Sequence, residues 1–505
     1  MFDSLSQFGG AFGDLLSGTA VFNVFWAMLL GIIIGALPGL TATMGVALMT
    51  TLTFTMDHNQ AIMVLICIYV GAIYGGSRSA ILLNIPGTPA SACSTLDGYP
   101  LARQGLAGRA MGISTSGSWL GTLFGTLCVA TLTPVLAELA LKFQSYEFFW
   151  IAVFGVVIAG TLSGGDALKG YLAGFLGLWV STIGQEQYYN YPRFAYGSTD
   201  LAGGIGLLPA LVGCFGMSEV LLAMRAPAAK AISSKIDSVI PRIRDVMQYW
   251  RTILRSGAIG TFIGILPGLG EDTAAWSSYA AARRASKEKE KYGKGSIEGL
   301  MAAETGESAC VPGAIIPVLT LAVPGSAPAA VLMAAMFIHD INPGPMLMIN
   351  TPQFFYQIVA MLVIADMVKL FYGFFLVRPL LKVLLVPRER LMPIVFVLCV
   401  VGAFSITQRV FDVYVMIFFG FVGVALRGLK FPMPPLILGL VLGELLENNL
   451  TRGLVLSDGS IMPFFTRPMS GVLAAITIAT IVWSIPAAQD WIRGQLRGAF
   501  GRAAT

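Results

Sequence analysis

The sequence predicts an all-α, polytopic membrane protein. Of its 505 residues, 56% are hydrophobic and only 12% are charged, whereas roughly 25% of the residues of a soluble domain are charged. Long apolar stretches without charge, such as 21–37, 61–76 and 474–488, recur along the chain. Because about 20 such residues span a bilayer, we count about ten to twelve transmembrane spans or half-spans.

Basic residues are distributed unevenly. Residues 1–77 contain no lysine or arginine, whereas residues 225–294 contain thirteen. Since short cytoplasmic loops are enriched in Lys and Arg, we expect the central stretch to face the cytoplasm and the N-terminal stretch to face the outside. The C-terminal Arg493, Arg497 and Arg502 place that end inside as well. The net charge of +5 therefore needs no nucleic-acid partner to explain it.

Two pairs of segments resemble each other. The stretch "GIIIGALPGLTATMG" (31–45) aligns without a gap with "GTFIGILPGLGEDTA" (260–274), at an offset of 229. A second pair, "NIPGTPAS" (84–91) and "AVPGSAPA" (322–329), shares Pro-Gly-Thr/Ser. Only the second LPGL segment lies between basic clusters, so we expect the two to enter the membrane as re-entrant hairpins from opposite faces. Such inverted repeats are typical of secondary transporters, whose substrates bind where broken helices meet; chance recurrence in a glycine-rich chain is the alternative.

This duplication sets the predicted domain organisation. It comprises an N-terminal segment (1–20), a first transmembrane repeat (21–224), a basic cytoplasmic connector (225–250), a second transmembrane repeat (251–488) and a basic cytoplasmic tail (489–505). The N-terminus carries Asp3 and Asp14 but no basic residue, so we expect no cleaved signal peptide. The six cysteines are scattered and show no metal-ligand spacing.

Several long motifs point to a known family. They are "GALPGLTATMGVALMTTLTF", "YGGSRSAILLNIPGTPAS", "GILPGLGEDTAAW", "PVLTLAVPGSAPAAVLMAAMFIHDINPGP" and "PPLILGLVLGELLENNLTRGL", and with others they extend from about residue 20 to 470. The chain thereby resembles the large membrane subunit (TctA type) of the tripartite tricarboxylate transporter family. One departure is that Ala309, Cys310 and Val311 stand where the family often has two asparagines, so no polar role is carried over to them.

The resemblance implies an ion-coupled uptake system in the bacterial inner membrane. Its substrates would be small carboxylates, such as tricarboxylates or dicarboxylates. Its partners would be a small four-helix membrane subunit (TctB type) and a periplasmic solute-binding protein (TctC type).

The helix breaks at the two Pro-Gly segments predict a carboxylate site. In hydrocarbon, irregular backbone persists only where protein or a water-filled cavity lines it. A helix that starts after such a break presents free N–H groups and a positive dipole end, which favour an anion. The candidate substrate-binding residues are Asn84, Pro86, Gly87, Thr88, Pro89, Ser91, Pro324, Gly325, Ser326, Gly39, Gly268 and Arg78. Tight turns in surface loops are the structural alternative.

Acidic residues near these breaks predict a site for the coupling ion, because charges within a membrane are costly and usually functional. Asp272 and Glu271 directly follow the second LPGL segment, and Glu307 and Glu304 precede a stretch rich in glycine and proline. The expected ion is Na⁺ or H⁺, with no other metal and no cofactor. Capping of the following helix is the alternative role for Asp272 and Glu271.

The motifs of hydrolases and nucleotide-binding enzymes are absent from the sequence: it has no Gly-x-Ser-x-Gly, no P-loop lysine and no His/Cys cluster. We therefore expect no enzyme. The predicted function is the permease subunit of a binding-protein-dependent, ion-coupled secondary transporter, with an elevator-type motion favoured over rocking of two halves. The alternative is an anion channel that uses the half-helix tips as a selectivity filter.

Overall fold

A computed structural model describes residues 8–10, 12, 13, 15, 17–37, 39–162, 166–186, 188, 190–224, 239–241, 243–375, 379, 388–405 and 407–484. In chain order, its α-helices are α1 (Gly18–Ala36), α2 (Ala42–Leu52), α3 (His58–Leu83), α4 (Thr95–Arg103), α5 (Ala107–Ala140), α6 (Ser145–Leu162), α7 (Ala167–Ser181), α8 (Thr199–Ala202), α9 (Leu207–Leu211), α10 (Ser218–Ala223), α11 (Ile243–Met247), α12 (Trp250–Ile265), α13 (Gly270–Ala285), α14 (Ile297–Leu321), α15 (Ala327–Ile338), α16 (Leu347–Asn350), α17 (Pro352–Phe375), α18 (Arg388–Ser405), α19 (Val410–Gly428), α20 (Met433–Leu456), α21 (Pro463–Thr466) and α22 (Pro468–Ser484). The shorter elements are two 3₁₀ turns (Ala90–Ala92 and Lys289–Lys291), a π-helical turn (Val212–Met217) and an antiparallel pair of strands, β1 (Gly184–Gln185) and β2 (Pro192–Arg193).

The prediction of an all-α polytopic membrane protein is confirmed. Five described helices are long and apolar enough to cross a membrane: α1, α3, α5, α17 and α19. Six shorter apolar stretches of 10–17 residues accompany them. Large apolar side chains such as Phe22, Phe175 and Phe418 are exposed, as expected for helices that face lipid. The predicted tail (489–505), most of the connector and Pro38 lie outside the described residues.

Polar side chains fix the starts of several helices. Ser17, Thr41, Asp57 and Ser296 each precede a helix and accept a hydrogen bond from a backbone N–H group of its first turn. Such caps satisfy donors that have no partner within the helix. The segment that follows each cap then continues as helix.

The described residues form two compact units. One consists of the described residues of Met1–Leu141 and Ile205–Gly428, and the other of those of Lys142–Gly204 and Leu429–Thr505. Within the second unit, α20 packs against α6 and α7. At the crossing with α7, a Cβ atom on Gly177 would lie 2.9 Å from the nitrogen of Leu440, and one on Gly439 would lie 2.8 Å from the nitrogen of Leu178. Glycine at both positions therefore permits the close approach of the two helices.

The predicted duplication is visible in the helix packing of the first unit. There α1 packs against α3, and α12 packs against α14 in the same manner. A Cβ atom on Gly35 of α1 would collide with the carbonyl oxygen of Ala72, and one on Gly264 of α12 would lie 2.6 Å from that of Cys310. These contacts are equivalent, because the first helices align at an offset of 229 and the second helices at 238.

Helices α3 and α14 also end in the same way. Asn84, after α3, has φ 56°, and Ala322, after α14, has φ 54°. This left-handed conformation commonly ends a helix. We call the segments that follow the first tip (residues 86–91) and the second tip (residues 324–329). The inversion of the two repeats across the membrane stays a prediction.

Candidate functional site

The glycine of each tip is fixed by close packing. The N–H group of Gly87 donates to the carbonyl oxygen of Gly76 at 3.3 Å, and a Cβ atom on Gly87 would collide with the carbonyl oxygen of Gly35. Gly325 makes the equivalent contacts in the second repeat, with a hydrogen bond of 3.4 Å. The N–H groups of the two glycines therefore already have partners. The expectation that tip N–H groups are free to meet a ligand does not hold for these two residues, because the fold uses them to join each tip to its helix.

The residue after each glycine carries a hydroxyl group in the same place. The Thr88 oxygen accepts a hydrogen bond from the N–H group of Ser91 at 3.4 Å, and the Ser326 oxygen accepts one from the N–H group of Ala329, also at 3.4 Å. Both side chains are almost completely buried, with Thr88 3% and Ser326 1% exposed. Accepting these bonds does not use the proton of either hydroxyl group.

Both tips contact helix α3. The Ser326 oxygen lies 2.7 Å from the hydroxyl oxygen of Tyr69, and the Thr88 oxygen lies so close to Gly76 that a Cβ atom there would collide with it. Tyr69 and Gly76 are seven residues apart, which is about two helical turns and about 10 Å along the axis. The two hydroxyl groups therefore lie against the same face of α3.

Three polar side chains from distant parts of the chain form a buried cluster. The Tyr69 hydroxyl donates to the carboxylate of Glu271, and it also contacts Ser326. When Glu271 is ionised it accepts the single hydroxyl proton of Tyr69, and Ser326 is then the donor to Tyr69. The cluster joins α3 of the first repeat to α13 and the second tip of the second repeat. Sequence analysis identified Glu271 and Ser326 but missed Tyr69, because nothing in the sequence links residues 202 positions apart.

A second pair of acids lies on α14. The carboxylate of Glu304 accepts a hydrogen bond from the Ser94 hydroxyl at 2.6 Å. Both carboxylate oxygens of Glu307 are buried and find no hydrogen-bond partner among the described residues. Glu307 interacts electrostatically with Cys93, which places it near the chain that follows the first tip. At the offset of 238, Glu307 occupies the position of the second repeat that Tyr69 occupies in the first.

The two LPGL turns carry further predicted residues. Gly39 has φ 95° and Gly268 has φ 79°, a left-handed conformation that favours glycine. The N–H group of Gly268 donates to the carbonyl oxygen of Gly325 at 2.9 Å, which ties this turn to the second tip. Asp272, in the first turn of α13, is exposed. Of the other predicted residues, Ser91 and Pro324 are buried, Pro86 is partly buried, and Asn84 and Pro89 are exposed.

Arg78 faces away from the tips. It is buried, and its guanidinium carbon lies 4.2 Å from the centre of the Tyr74 ring. Its terminal nitrogens donate to α5, namely to the carbonyl oxygen of Met111 and the hydroxyl oxygens of Ser114 and Thr115. No carboxylate pairs with it among the described residues. Arg78 therefore supplies positive charge to the interior without pointing at the first tip.

Sequence analysis missed an ion pair within a membrane-spanning helix. Asp366 and Lys369 of α17 lie 2.7 Å apart, and both side chains are 1% exposed. The Lys369 ammonium also donates to the carbonyl oxygen of Ser118 at 3.1 Å and to the hydroxyl oxygen of Thr122 at 2.7 Å, both on α5. Two opposite charges three residues apart in an apolar run were the available signal.

A buried aspartate holds the loop between α13 and α14. One carboxylate oxygen of Asp97 accepts hydrogen bonds from the N–H groups of Gly293, Gly295 and Ser296 at 2.8–2.9 Å. Its other oxygen accepts from the Tyr279 hydroxyl at 2.9 Å. Because Asp97 belongs to α4, this carboxylate links the segment after the first tip to the second repeat.

Comparisons with known proteins bear on this arrangement. The model of a family described as "Tripartite tricarboxylate transporter TctA family" matches residues 21–438. An Agrobacterium vitis protein described as "Uncharacterized 52.8 kDa protein in TAR-I ttuC' 3'region" is 33% identical over 483 residues, which cover 95% of this chain and 96% of that protein. A second Agrobacterium vitis protein, described as "Uncharacterized protein in TAR-II ttuC' 3'region", is 31% identical over 226 residues, which cover 45% of this chain and 93% of that protein. No solved structure matches the chain.

Proposed function

This chain belongs to the tripartite tricarboxylate transporter TctA family, and on that premise we propose that it is the permease subunit that imports small tricarboxylates or dicarboxylates together with Na⁺ or H⁺. Membership makes it a multi-pass membrane subunit of a transport system and confirms the resemblance found in the sequence. The proposed location is the bacterial inner membrane. The proposed partners are a small four-helix membrane subunit and a periplasmic solute-binding protein that delivers the acid.

The observation that carries the substrate site is the equivalence of Thr88 and Ser326. The two hydroxyl groups lie on one face of α3, beside residues that are about 10 Å apart along its axis. A polycarboxylate bridges that separation when each end accepts a hydrogen bond of about 2.8 Å. Neutral hydroxyl donors give modest net binding, about 0.5–1.5 kcal/mol each. Modest binding suits a transporter, which must release its substrate.

Entry of the acid requires movement of the tips. Thr88 and Ser326 are almost completely buried, so this conformation is closed around the proposed site. Both tips and both LPGL turns belong to the first unit. We therefore favour an elevator-type motion, in which the hairpins and tips of this unit move together and carry the bound acid across the membrane.

Two acidic side chains support ion coupling. Glu271 accepts from Tyr69, which contacts Ser326, and it also interacts with Ser326 itself. Glu307 is buried without a hydrogen-bond partner among the described residues, and a buried carboxylate in such surroundings is stable only when a proton or a cation neutralises it. Asp272 and Glu304 lie beside these two residues and complete the proposed ion-binding set. Arg78 would add positive charge near the proposed site without contacting the substrate.

Uptake into vesicles tests the proposal. The chain is reconstituted with its two partner subunits, and the uptake of labelled citrate is measured under separate Na⁺ and pH gradients. We expect accumulation against the citrate gradient that requires one ion gradient and the binding protein. An anion channel with the tips as its selectivity filter would instead pass citrate only down its own gradient and without the binding protein, and that result would overturn the proposal.

A further inference from the structure

We propose that Tyr69 couples proton binding at Glu271 to substrate binding at Ser326, an inference that rests on the proposed function. The three side chains form one hydrogen-bonded chain, in which Ser326 also interacts with Glu271 itself, at a place where the first repeat meets the second tip. Tyr69 and Ser326 are at most 1% exposed and Glu271 is 6% exposed. With so little access to water, a change at one end of the chain is passed to the other end by the side chains themselves.

When Glu271 is ionised, every hydroxyl in the chain points toward it. Tyr69 donates to the carboxylate, and Ser326 donates to Tyr69. The Ser326 oxygen in turn accepts from the N–H group of Ala329. The single proton of Ser326 is therefore engaged, and this hydroxyl cannot donate to a carboxylate of the substrate.

Protonation of Glu271 reverses the chain. A proton taken from water forms one O–H bond on the carboxylate, and Glu271 then donates to Tyr69. The Tyr69 hydroxyl rotates and donates to Ser326, which frees the Ser326 proton for the substrate. The protons of Tyr69 and Ser326 stay on their own oxygens throughout, so the substrate gains a donor only after Glu271 has gained a proton. Binding of the two is thereby coupled, and the coupling is reciprocal.

Among the residues that the structure describes, the first tip has no equivalent chain. Thr88 is capped like Ser326, but the position equivalent to Tyr69 holds Glu307, whose carboxylate has no hydrogen-bond partner among the described residues. The proposed coupling of proton and substrate binding therefore concerns the second tip alone. Thr88 is for this reason a matched control. Its substitution removes an equivalent capping hydroxyl but leaves the hydrogen bonds among Ser326, Tyr69 and Glu271 intact.

Other titratable groups act on Glu271 and enter any measurement of pH dependence. They are Tyr69 on α3, Asp272 on α13, and Glu307 and Cys310 on α14. Variants that remove one hydroxyl group interrupt the hydrogen-bonded chain and leave every carboxylate near Glu271 in place. Tyr69→Phe and Ser326→Ala are such variants, since each removes one oxygen and no carboxylate.

The test is the pH dependence of substrate affinity, measured by calorimetry on the full chain in lipid nanodiscs. The probes are fumarate, malate and citrate, the last expressed as the concentration of its fully ionised form. Carboxyl groups with pKa values near 4 stay ionised above about pH 6, so the measurement runs upward from there. For one coupled proton, wild-type affinity falls by up to about tenfold per pH unit where Glu271 titrates.

We expect Tyr69→Phe and Ser326→Ala to bind the acid more weakly and with less than about a twofold change over the same range. Glu271→Gln keeps a donor toward Tyr69 in its side-chain amide, so it should bind independently of pH and as tightly as the wild type at low pH. Thr88→Ala should bind more weakly but keep the wild-type slope. Should Tyr69→Phe fail to fold, Ser326→Ala and Glu271→Gln carry the same test.

Two results overturn the inference and leave the proposed function standing. One is a wild-type pH slope that survives in Tyr69→Phe or Ser326→Ala. The other is wild-type binding that is insensitive to pH. A wild-type chain that binds none of the three acids also rules out this inference, whereas the proposed function is contradicted only if the complete complex takes up none of them.

Discussion

Thr88 and Ser326 hold equivalent positions in the two repeats, and each accepts a hydrogen bond of 3.4 Å from the N–H group three residues later. Their surroundings differ. Ser326 meets the Tyr69 hydroxyl, whereas the residue equivalent to Tyr69 in the second repeat is Glu307. The two tips are therefore alike, whereas the polar groups beside them differ.

The tip glycine Gly87 is expected to be essential for folding rather than for ligand contact. In Gly87→Ala, the new Cβ atom would collide with the carbonyl oxygen of Gly35, and such overpacking costs about 1–3 kcal/mol or more. We expect a lower yield of folded protein and a melting temperature lower by several degrees, measured by size-exclusion chromatography after heating. Gly428→Ala is the control, since a Cβ atom there meets nothing within 4 Å. A Gly87→Ala protein that melts like the wild type but no longer binds carboxylates would show instead that this glycine faces the ligand.

The ion pair of Asp366 and Lys369 is expected to be intolerant of single substitution. Asp366→Asn leaves a buried ammonium without its counter-ion, and removing one partner of a buried pair costs about 3–5 kcal/mol. Lys369→Met likewise leaves the buried carboxylate of Asp366 without its counter-ion. The double variant Asp366→Leu with Lys369→Met removes both charges and should recover much of the lost thermal stability. If either single variant melts at the wild-type temperature, the pair does not stabilise the packing of α17 against α5.

The sequence predicted the helix breaks and the duplication because both depend on local signals. Proline and glycine interrupt a helix wherever they occur, and Pro86-Gly87 and Pro324-Gly325 do so in the structure. The partners of Tyr69 and Arg78 could not be predicted, because they lie on helices that come together only in the folded chain. The packing of Gly87 could not be predicted for the same reason: the carbonyl oxygen of Gly35, which a Cβ atom on Gly87 would meet, is 52 residues away in the sequence.

The carboxylate of Asp97 is expected to hold the loop between α13 and α14 in place. Asp97→Ala leaves three backbone N–H groups without their acceptor, and a hydrogen bond to a charged group contributes about 1.5–3 kcal/mol. We expect trypsin to cleave after Lys287, Lys289 and Lys291 at least about tenfold faster, since 1.4 kcal/mol changes the population of an open form tenfold. Asp97→Asn retains an acceptor oxygen and should give an intermediate rate. The exposed Asp200 offers a control in Asp200→Ala, and equal cleavage of all variants would rule the link out.

The two LPGL hairpins are expected to enter the membrane from opposite faces. Single cysteines replace the exposed Asp57 and Lys289 in a background without the six native cysteines. A membrane-impermeant maleimide should label position 57 from the periplasmic side and position 289 from the cytoplasmic side, as the distribution of basic residues predicts. Labelling of both positions from the same side would mean that the repeats are parallel.

The proposed substrate site between the two tips is tested most directly by the position of a bound tricarboxylate. This position is determined by cryo-electron microscopy of the complete complex with citrate. The two-tip site predicts one carboxylate of citrate within about 3.2 Å of the Ser326 oxygen and another within the same distance of the Thr88 oxygen. Density for citrate elsewhere in the chain, with both hydroxyl groups beyond hydrogen-bond distance, would contradict it.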